Sequence, residues 1–340
     1  MVLGTSATNE CLNKIVKLVY IEENGKMAQK KMILDLDAGV DDALALAYAL
    51  ATPDADLIGI TSSYGNNVQD ITSVNSLKLL ELLGATDVPV FRGVDHSLNT
   101  DSFEAMQVSK DIHGDNGIGN VFLPEPKRPI EDQSAVDFLI EAAHEYAENL
   151  VIVPTGPLTN LALAFKKDPE IAELIGNITI MGGALTVPGN VTPYTEANIN
   201  QDAEAADYVF KNAKHLVMVG LDVTLQTLLT KKETQQWRDL GTEKGRAYAD
   251  IMDYYIDAYY NLDINKAGAA LHDPLAVGVA VDPNLVTLLP INMRVDHEDG
   301  RTIGDLSRLT DPVKNTYAAV AVDAPFYLER FMNYMAIALR

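Results

Sequence analysis

The chain has 340 residues, 47% hydrophobic and 22% charged, which is the profile of a globular protein with one large or two smaller domains. A formal charge of −22 excludes nucleic acid and anionic membranes as partners, because phosphate-lined surfaces demand a basic face. The single cysteine, Cys11, excludes an intrachain disulfide framework and points to a reducing cytoplasm, and no apolar run is long enough to span a bilayer.

Residues 1–30 read as an N-terminal extension, disordered or from a misassigned start. Lys14 to Tyr20 is too short and interrupted for a signal-peptide core, and Met27 opens a Met-Ala-Gln-Lys-Lys run just before the first strand. From Lys31 onward strands and helices alternate. Met32, Ile33 and Leu34 end a buried strand, Ala43 to Leu50 is helix former throughout, and Gly39 allows the tight turn between them. Leu57 to Ser63 predicts a second strand, Val68 to Leu83 a helix closed by Gly84, and Val88 to Phe91 a third strand. Residues 93–133 lack periodicity and read as a long loop, a length that is usually functional in compact domains.

Ser134 to Glu148 predicts a helix, Leu150 to Pro154 a buried strand, and Thr155 to Asn160 a turn into the helix Leu161 to Phe165. Ile178 to Met181 is a strand ended by Gly182 and Gly183. A polar loop runs on to Asn200, then come a helix from Ala203 to Phe210 and a strand from Leu216 to Val219. Lys232 to Tyr260 is largely helical, with Trp237 partly buried, and His272-Asp273-Pro274 opens a helix through Val281. The tail changes to a hairpin from Leu288 past His297, turning at Asp299-Gly300, then a strand at Tyr317 to Val322 and a closing helix from Ala324 to Leu339. The alternation predicts one α/β domain over 31–340. It has a mainly parallel, open, Rossmann-like sheet with helices on both faces, a C-terminal hairpin extension, and a site at the carboxyl ends of the strands.

Four aspartates fall within Asp35-Leu36-Asp37-Ala38-Gly39-Val40-Asp41-Asp42, between a strand and a helix. A helix cap needs one Asp. Four carboxylates crowded at a strand end repel one another unless a cation is present, and hard oxygen ligands suit Ca²⁺ or Mg²⁺. An EF-hand is excluded, because counting from Asp35 puts Val40 at its glycine position and Leu46 at its bidentate acid. The other polar clusters are individually bland. Asn66 and Asn67 serve as turn formers, His113-Gly114 as a solvated loop or a lid contact, and Glu196-Ala197-Asn198 as any polar loop. Tyr255 and Tyr259, one helical turn apart, default to core packing. His272 beside Asp273 places a titratable ring and an acid at one strand-to-helix junction.

Taken together, Asp35-x-Asp37-x-Gly39-x-Asp41-Asp42, Gly65-Asn66, His113-Gly114, Pro154 to Asn160, Met181-Gly182-Gly183, Glu196-x-Asn198, Gly220-Leu221-Asp222, Ile251 to Tyr255 and His272-Asp273-Pro274 resemble the nucleoside hydrolase family of the inosine–uridine-preferring type. They recur in the family's order from about residue 31 to the C-terminus. Two departures stand out. Ala38 replaces the family's usual proline, and the stretch from Tyr259 to His272 is about one residue longer. The resemblance implies hydrolysis of the N-glycosidic bond of ribonucleosides for salvage, by a cytoplasmic homotetramer or homodimer with one Ca²⁺. It implies Asp37, Asp42, Asp273 and the Thr155 carbonyl as metal ligands and Asp37 as the base that takes the attacking water's proton. It further implies His272 as general acid, at its ordinary pKa of about 6.5, and Asp41, Asn66, Glu196 and Asn198 on the ribose. His113, Met181, Tyr255 and Tyr259 then line the rest of the substrate pocket.

Two other readings compete. A haloacid-dehalogenase-type phosphatase also has Asp-x-Asp after its first strand, but it requires Thr or Val where Gly39 stands, and none of the motifs supplies a Lys or Arg for phosphate. A non-catalytic nucleoside-binding protein would have lost Asp37 or another metal ligand, and all are present.

Overall fold

A computed structural model describes residues 29–340. The extension expected over 1–30 lies almost wholly outside them, although Lys30 already belongs to the first strand. In chain order the strands are β1 (Lys30–Leu36), β2 (Ala55–Ser62), β3 (Val90–Arg92), β4 (Glu131–Ser134), β5 (Leu150–Pro154), β6 (Asn177–Met181), β7 (Leu216–Val219), β8 (Leu228–Leu229), β9 (Ala269–Ala270), β10 (Val286–Ile291), β11 (Met293–Val295), β12 (Thr302–Gly304) and β13 (Thr316–Val322). The helices are α1 (Val40–Ala51), α2 (Gln69–Leu83), α3 (Gln107–His113), α4 (Ala135–Tyr146), α5 (Thr159–Lys167), α6 (Ile171–Leu174), α7 (Ala197–Gln201), α8 (Ala203–Asn212), α9 (Leu221–Thr224), α10 (Lys231–Arg238), α11 (Glu243–Asn261), α12 (His272–Val281) and α13 (Ala324–Ala338).

Nine strands form one open sheet in the order β10-β13-β7-β6-β5-β1-β2-β3-β4. Every neighbouring pair is parallel except β10 against β13 at one edge. The Met32–Leu34 run of β1 and the whole of β5 are apolar because helices cover both faces, as parallel sheets require. One core packs α1, α12 and α13 against one face around Tyr48, Leu275 and Phe331, and the other packs α4, α5 and α8 around Leu139, Phe165 and Phe210. The chain leaves β1 toward β2, β3 and β4, then returns to β5 on β1's other side. The switch point therefore lies between β1 and β5, the crevice where open α/β sheets bind ligands. Asn160 secures that end: its Nδ2 donates to Asp35 Oδ1 (2.8 Å) and to the Ser62 carbonyl (3.1 Å), tying β1 to β2. Among the described residues no helix is long and apolar enough to cross a membrane.

Several expectations need correction. The long loop over 93–133 contains α3 and the edge strand β4, and the polar loop before Asn200 ends in α7. These pieces are too short to show a period. Lys232 to Tyr260 is two helices, broken where Gly241 adopts φ +72°. The tail splits at buried Asn292. β10 joins the main sheet against β13, whereas only β11 and β12 form the hairpin, with Gly300 (φ +69°) in its turn. Trp237 is fully buried. Gly39 is extended (φ −93°), so it does not serve by making a tight turn. Its role is close approach, since a Cβ there would meet Asn66 Nδ2 at 2.4 Å and His113 Nδ1 at 2.7 Å.

Candidate active site

The end of β1 and the first turn of α1 carry Asp37, Asp41 and Asp42, and the start of α12 carries Asp273, all buried. Ligand oxygens of Asp41, Asp42 and Asp273 lie within 4.8 Å of one another. Asp42 is the hub. Its Oδ2 accepts from Gly39 N (2.8 Å) and Asn66 Nδ2 (3.2 Å), and its Oδ1 accepts from Thr155 Oγ1 (2.6 Å). Asp37 is turned toward Asn66, accepting from its backbone N (2.8 Å) and Nδ2 (3.0 Å), and stands just outside the tight trio. The Thr155 carbonyl, expected as a metal ligand, accepts from Asn198 Nδ2 at 2.8 Å.

Crowding shows in the acidities. Burial, then repulsion from Asp42 and Asp41, drives the Asp37 carboxyl well above its ordinary range. Burial and Asp42 push Asp41 up to about 7, and burial with the same neighbours raises Asp273 well up. Asp41 Oδ1 is buried without a hydrogen-bond partner. An all-oxygen donor set with an orphaned carboxylate oxygen fits a hard divalent cation.

Above the carboxylates opens a cavity of about 350 Å³. All the site residues expected from the sequence line it except Asp37 and Asp42, which are buried beside lining Asp41 and Asp273. Glu196 caps α7: its Oε1 accepts from Asn198 N (2.9 Å), and its Oε2 from Gly183 N (3.0 Å) and Ile199 N (3.1 Å). The same cap aims Asn198 at the Thr155 and Met181 carbonyls. His113 Nδ1 accepts from Val40 N at 3.2 Å, closing the free end of α1. Burial pulls that imidazole down to about 3, so at 4.0 Å from Asp41 it is a neutral wall and forms no ion pair.

The same cavity is lined by a hydrogen-bonded row. Tyr255 Oη lies 3.2 Å from Tyr259 Oη, Tyr259 Oη lies 2.9 Å from His272 Nε2, and His272 Nδ1 lies 2.8 Å from Thr224 Oγ1. The ordinary histidine pKa expected for His272 does not hold, because burial lowers it to about 4.

Sequence reasoning missed the cavity's apolar mouth, made by Met106, Val108 and Ile112 around α3 and by Val191, Leu225 and Ile264. Val108 and Ile112 stand one helical turn apart, but one such pair in a seven-residue helix is too little to mark α3. For Leu225 and Ile264 there is no local signal, since only the fold brings them over the crevice. Thr224 was missed for the same reason. Among the described residues no Lys or Arg lines the cavity, which removes the grip a phosphatase needs.

An open α/β sheet with buried carboxylates at its switch point has the place and the lining of a small-molecule site. Residues 32–329 match the family model described as inosine-uridine preferring nucleoside hydrolase. Over 321 residues the chain is 37% identical to a probable uridine nucleosidase 2 of Arabidopsis thaliana, covering 90% of this chain and 97% of the relative. It is 35% identical over 302 residues to the pyrimidine-specific ribonucleoside hydrolase RihA of Shigella boydii, with 88% and 96% covered. Among solved structures, a purine-preferring ribonucleoside hydrolase from Gardnerella vaginalis superposes with a TM-score of 0.90 at 54% identity, covering 91% of this chain and 99% of that one. The chain belongs to the inosine–uridine-preferring nucleoside hydrolase family, and it is a nucleoside hydrolase, an N-glycosidase acting on ribonucleosides.

Proposed function

We propose that this enzyme hydrolyses uridine, cytidine and inosine, with one Ca²⁺ in the carboxylate floor. The observation that carries the reading is the meeting, in one cavity, of buried carboxylates and the Tyr255–Tyr259–His272 row. The residues that would hold the ion are Asp42 and Asp273, with Asp37 and the Thr155 carbonyl. Asp41, within the same tight group, lies beside them. When bound there, the ion supplies positive charge that acidifies an attacking water and anchors ribose hydroxyls.

The chain's own residues do the rest. Asp37, held by two bonds from Asn66 and raised in pKa by burial, is the proton acceptor for the water. As the glycosidic bond breaks, positive charge grows on the ribosyl ring, and the acidic floor stabilises it. Asp41, Asn66, Glu196 and Asn198 face the ribose, where contacts that tighten as the ring flattens raise kcat. His113 and Met181 close the pocket walls. Charge leaving on the base meets Tyr255, Tyr259 and, behind them, His272 as the acid side of the site.

Two tyrosines on one helical face can both stack and hydrogen-bond, which permits either ring size. Trp237, buried away from the cavity, offers no aromatic sandwich for purines. The relatives' names point both ways, to uridine and pyrimidines and to purines. A homotetramer or homodimer in the cytoplasm is the form we infer, from the family resemblance and the lone Cys11. The test is ribose release from uridine, cytidine, inosine, adenosine and guanosine, with and without chelator. A large preference for adenosine and guanosine over uridine would overturn the base assignment, and full activity after exhaustive chelation would overturn the metal.

A further inference from the structure

Behind the cavity, Thr224 at the end of α9 is fully buried, and its Oγ1 has one hydrogen-bond partner among the described residues, His272 Nδ1 at 2.8 Å. The contact is built from both sides. Leu271 N donates to the Thr227 carbonyl at 2.8 Å, and Thr227 N and Oγ1 both donate to the Thr224 carbonyl (3.1 and 2.9 Å). The backbone just before His272 is thereby pinned to the segment that carries Thr224.

A threonine hydroxyl brings one proton, and a neutral imidazole has one nitrogen that donates and one that accepts. If Nδ1 carried the ring proton, the Thr224 hydroxyl proton would be buried without an acceptor, the costly arrangement for a polar group. If Nδ1 is bare, the hydroxyl donates to it and both groups are satisfied. The ring proton then sits on Nε2 and is donated to Tyr259 Oη, 2.9 Å away. The Tyr259 hydroxyl is then free to donate to Tyr255 Oη, and the Tyr255 hydroxyl to donate into the cavity that both rings line.

We propose that Thr224 is a positioning residue for departure of the base: its hydroxyl holds His272 as the Nε2–H tautomer and so turns the whole Thr224–His272–Tyr259–Tyr255 row with its donors toward the cavity. A base leaving with negative charge on its ring is then met by a hydrogen-bond donor. The opposite tautomer would have Tyr259 donating backwards into His272 and would offer the base a lone pair. The inference rests on the reading of this cavity as the site of N-glycosidic cleavage, and it adds the residue that sets the row's direction.

The experiment uses the full-length enzyme with Thr224→Val, Thr224→Ser and, in case the valine variant fails to fold, Thr224→Ala. On inosine and uridine the valine variant is expected to lose about tenfold or more in kcat with KM little changed. On nitrophenyl riboside, whose leaving group needs no help, it should stay within about twofold. Thr224→Ser, which keeps the hydroxyl, should recover most of the loss. Independently of turnover, ¹⁵N NMR of histidine-labelled protein, assigned with His272→Gln, should show a bare Nδ1 and a protonated Nε2 in the wild type. A protonated Nδ1, a valine variant as fast as wild type on nucleosides, or an equal loss on both substrates that serine does not recover would each overturn the role. Absence of any nucleoside cleavage by the wild type would instead count against the reading of the cavity, and the NMR result would still decide the tautomer.

Discussion

At the scale of single residues, the floor divides its labour by orientation. Asp42 has both oxygens committed, to Gly39 and Asn66 on one side and to Thr155 on the other. Asp42→Ala should therefore abolish metal binding and cut turnover by more than about a hundredfold, judged by calorimetric titration with Ca²⁺ and by ribose release. A variant that still binds the ion at wild-type strength would refute this. Asp37 differs, because two of its contacts, from the backbone N and Nδ2 of Asn66, turn it away from the tight trio. Asp37→Asn keeps the shape and removes the proposed proton acceptor, so kcat should fall by about 10² to 10⁴ with KM nearly unchanged. A loss confined to KM would make Asp37 a binding residue only.

At the scale of elements, the wall over 182–196 owes its position to a residue outside the cavity. Asp222, buried in α9, accepts from Leu185 N (2.9 Å), Thr186 N (2.7 Å) and Thr186 Oγ1 (2.6 Å). From the other side, Thr302 Oγ1 on β12 accepts from Ala184 N (3.0 Å) and donates to the Ala184 carbonyl (2.9 Å), so the C-terminal hairpin braces the same loop. Asp222→Ala strands two backbone donors and should cost about 1–3 kcal/mol of stability. It should also raise KM more than it lowers kcat, because the loop leading to Glu196 loosens while the carboxylate floor stays intact. Thermal melts with steady-state kinetics check this, and an unchanged KM would remove Asp222 from any role in shaping the pocket.

At the scale of the whole molecule, the sheet concentrates buried acid at its switch point and leaves the fold to carry the cost. Burial raises Asp35 to about 6 from 3.8, and burial with Asp42 raises Asp41 to about 7 from 3.8. Groups held more strongly protonated in the folded state stabilise it fully below the unfolded pKa, and that contribution is lost as the pH rises through the folded one. The chelated protein should accordingly show a Tm that falls between about pH 4 and pH 7. Added Ca²⁺ should lift Tm more at pH 7 than at pH 5, since the ion takes over the neutralising task from the protons. An increment independent of pH would mean that Asp41 does not face the ion.

The sequence by itself determined most of the frame. The apolar runs of β1 and β5, the helix formers after Asp42 and the Gly84 cap at φ +83° are local signals, and each element formed where its residues required. The aspartate cluster was legible too, because four carboxylates within eight residues are costly under any fold that buries them. The tertiary structure alone decided what long-range packing decides. It showed that Gly39 serves close approach to Asn66 and His113, and that α3 and the apolar mouth hang over the crevice. It also set His272 against a threonine 48 positions away, at the centre of a hydrogen-bonded row. A hydrogen bond needs partners within about 3 Å, and spacing along a chain carries no such distance until the sheet has brought β7, α11 and α12 to one end.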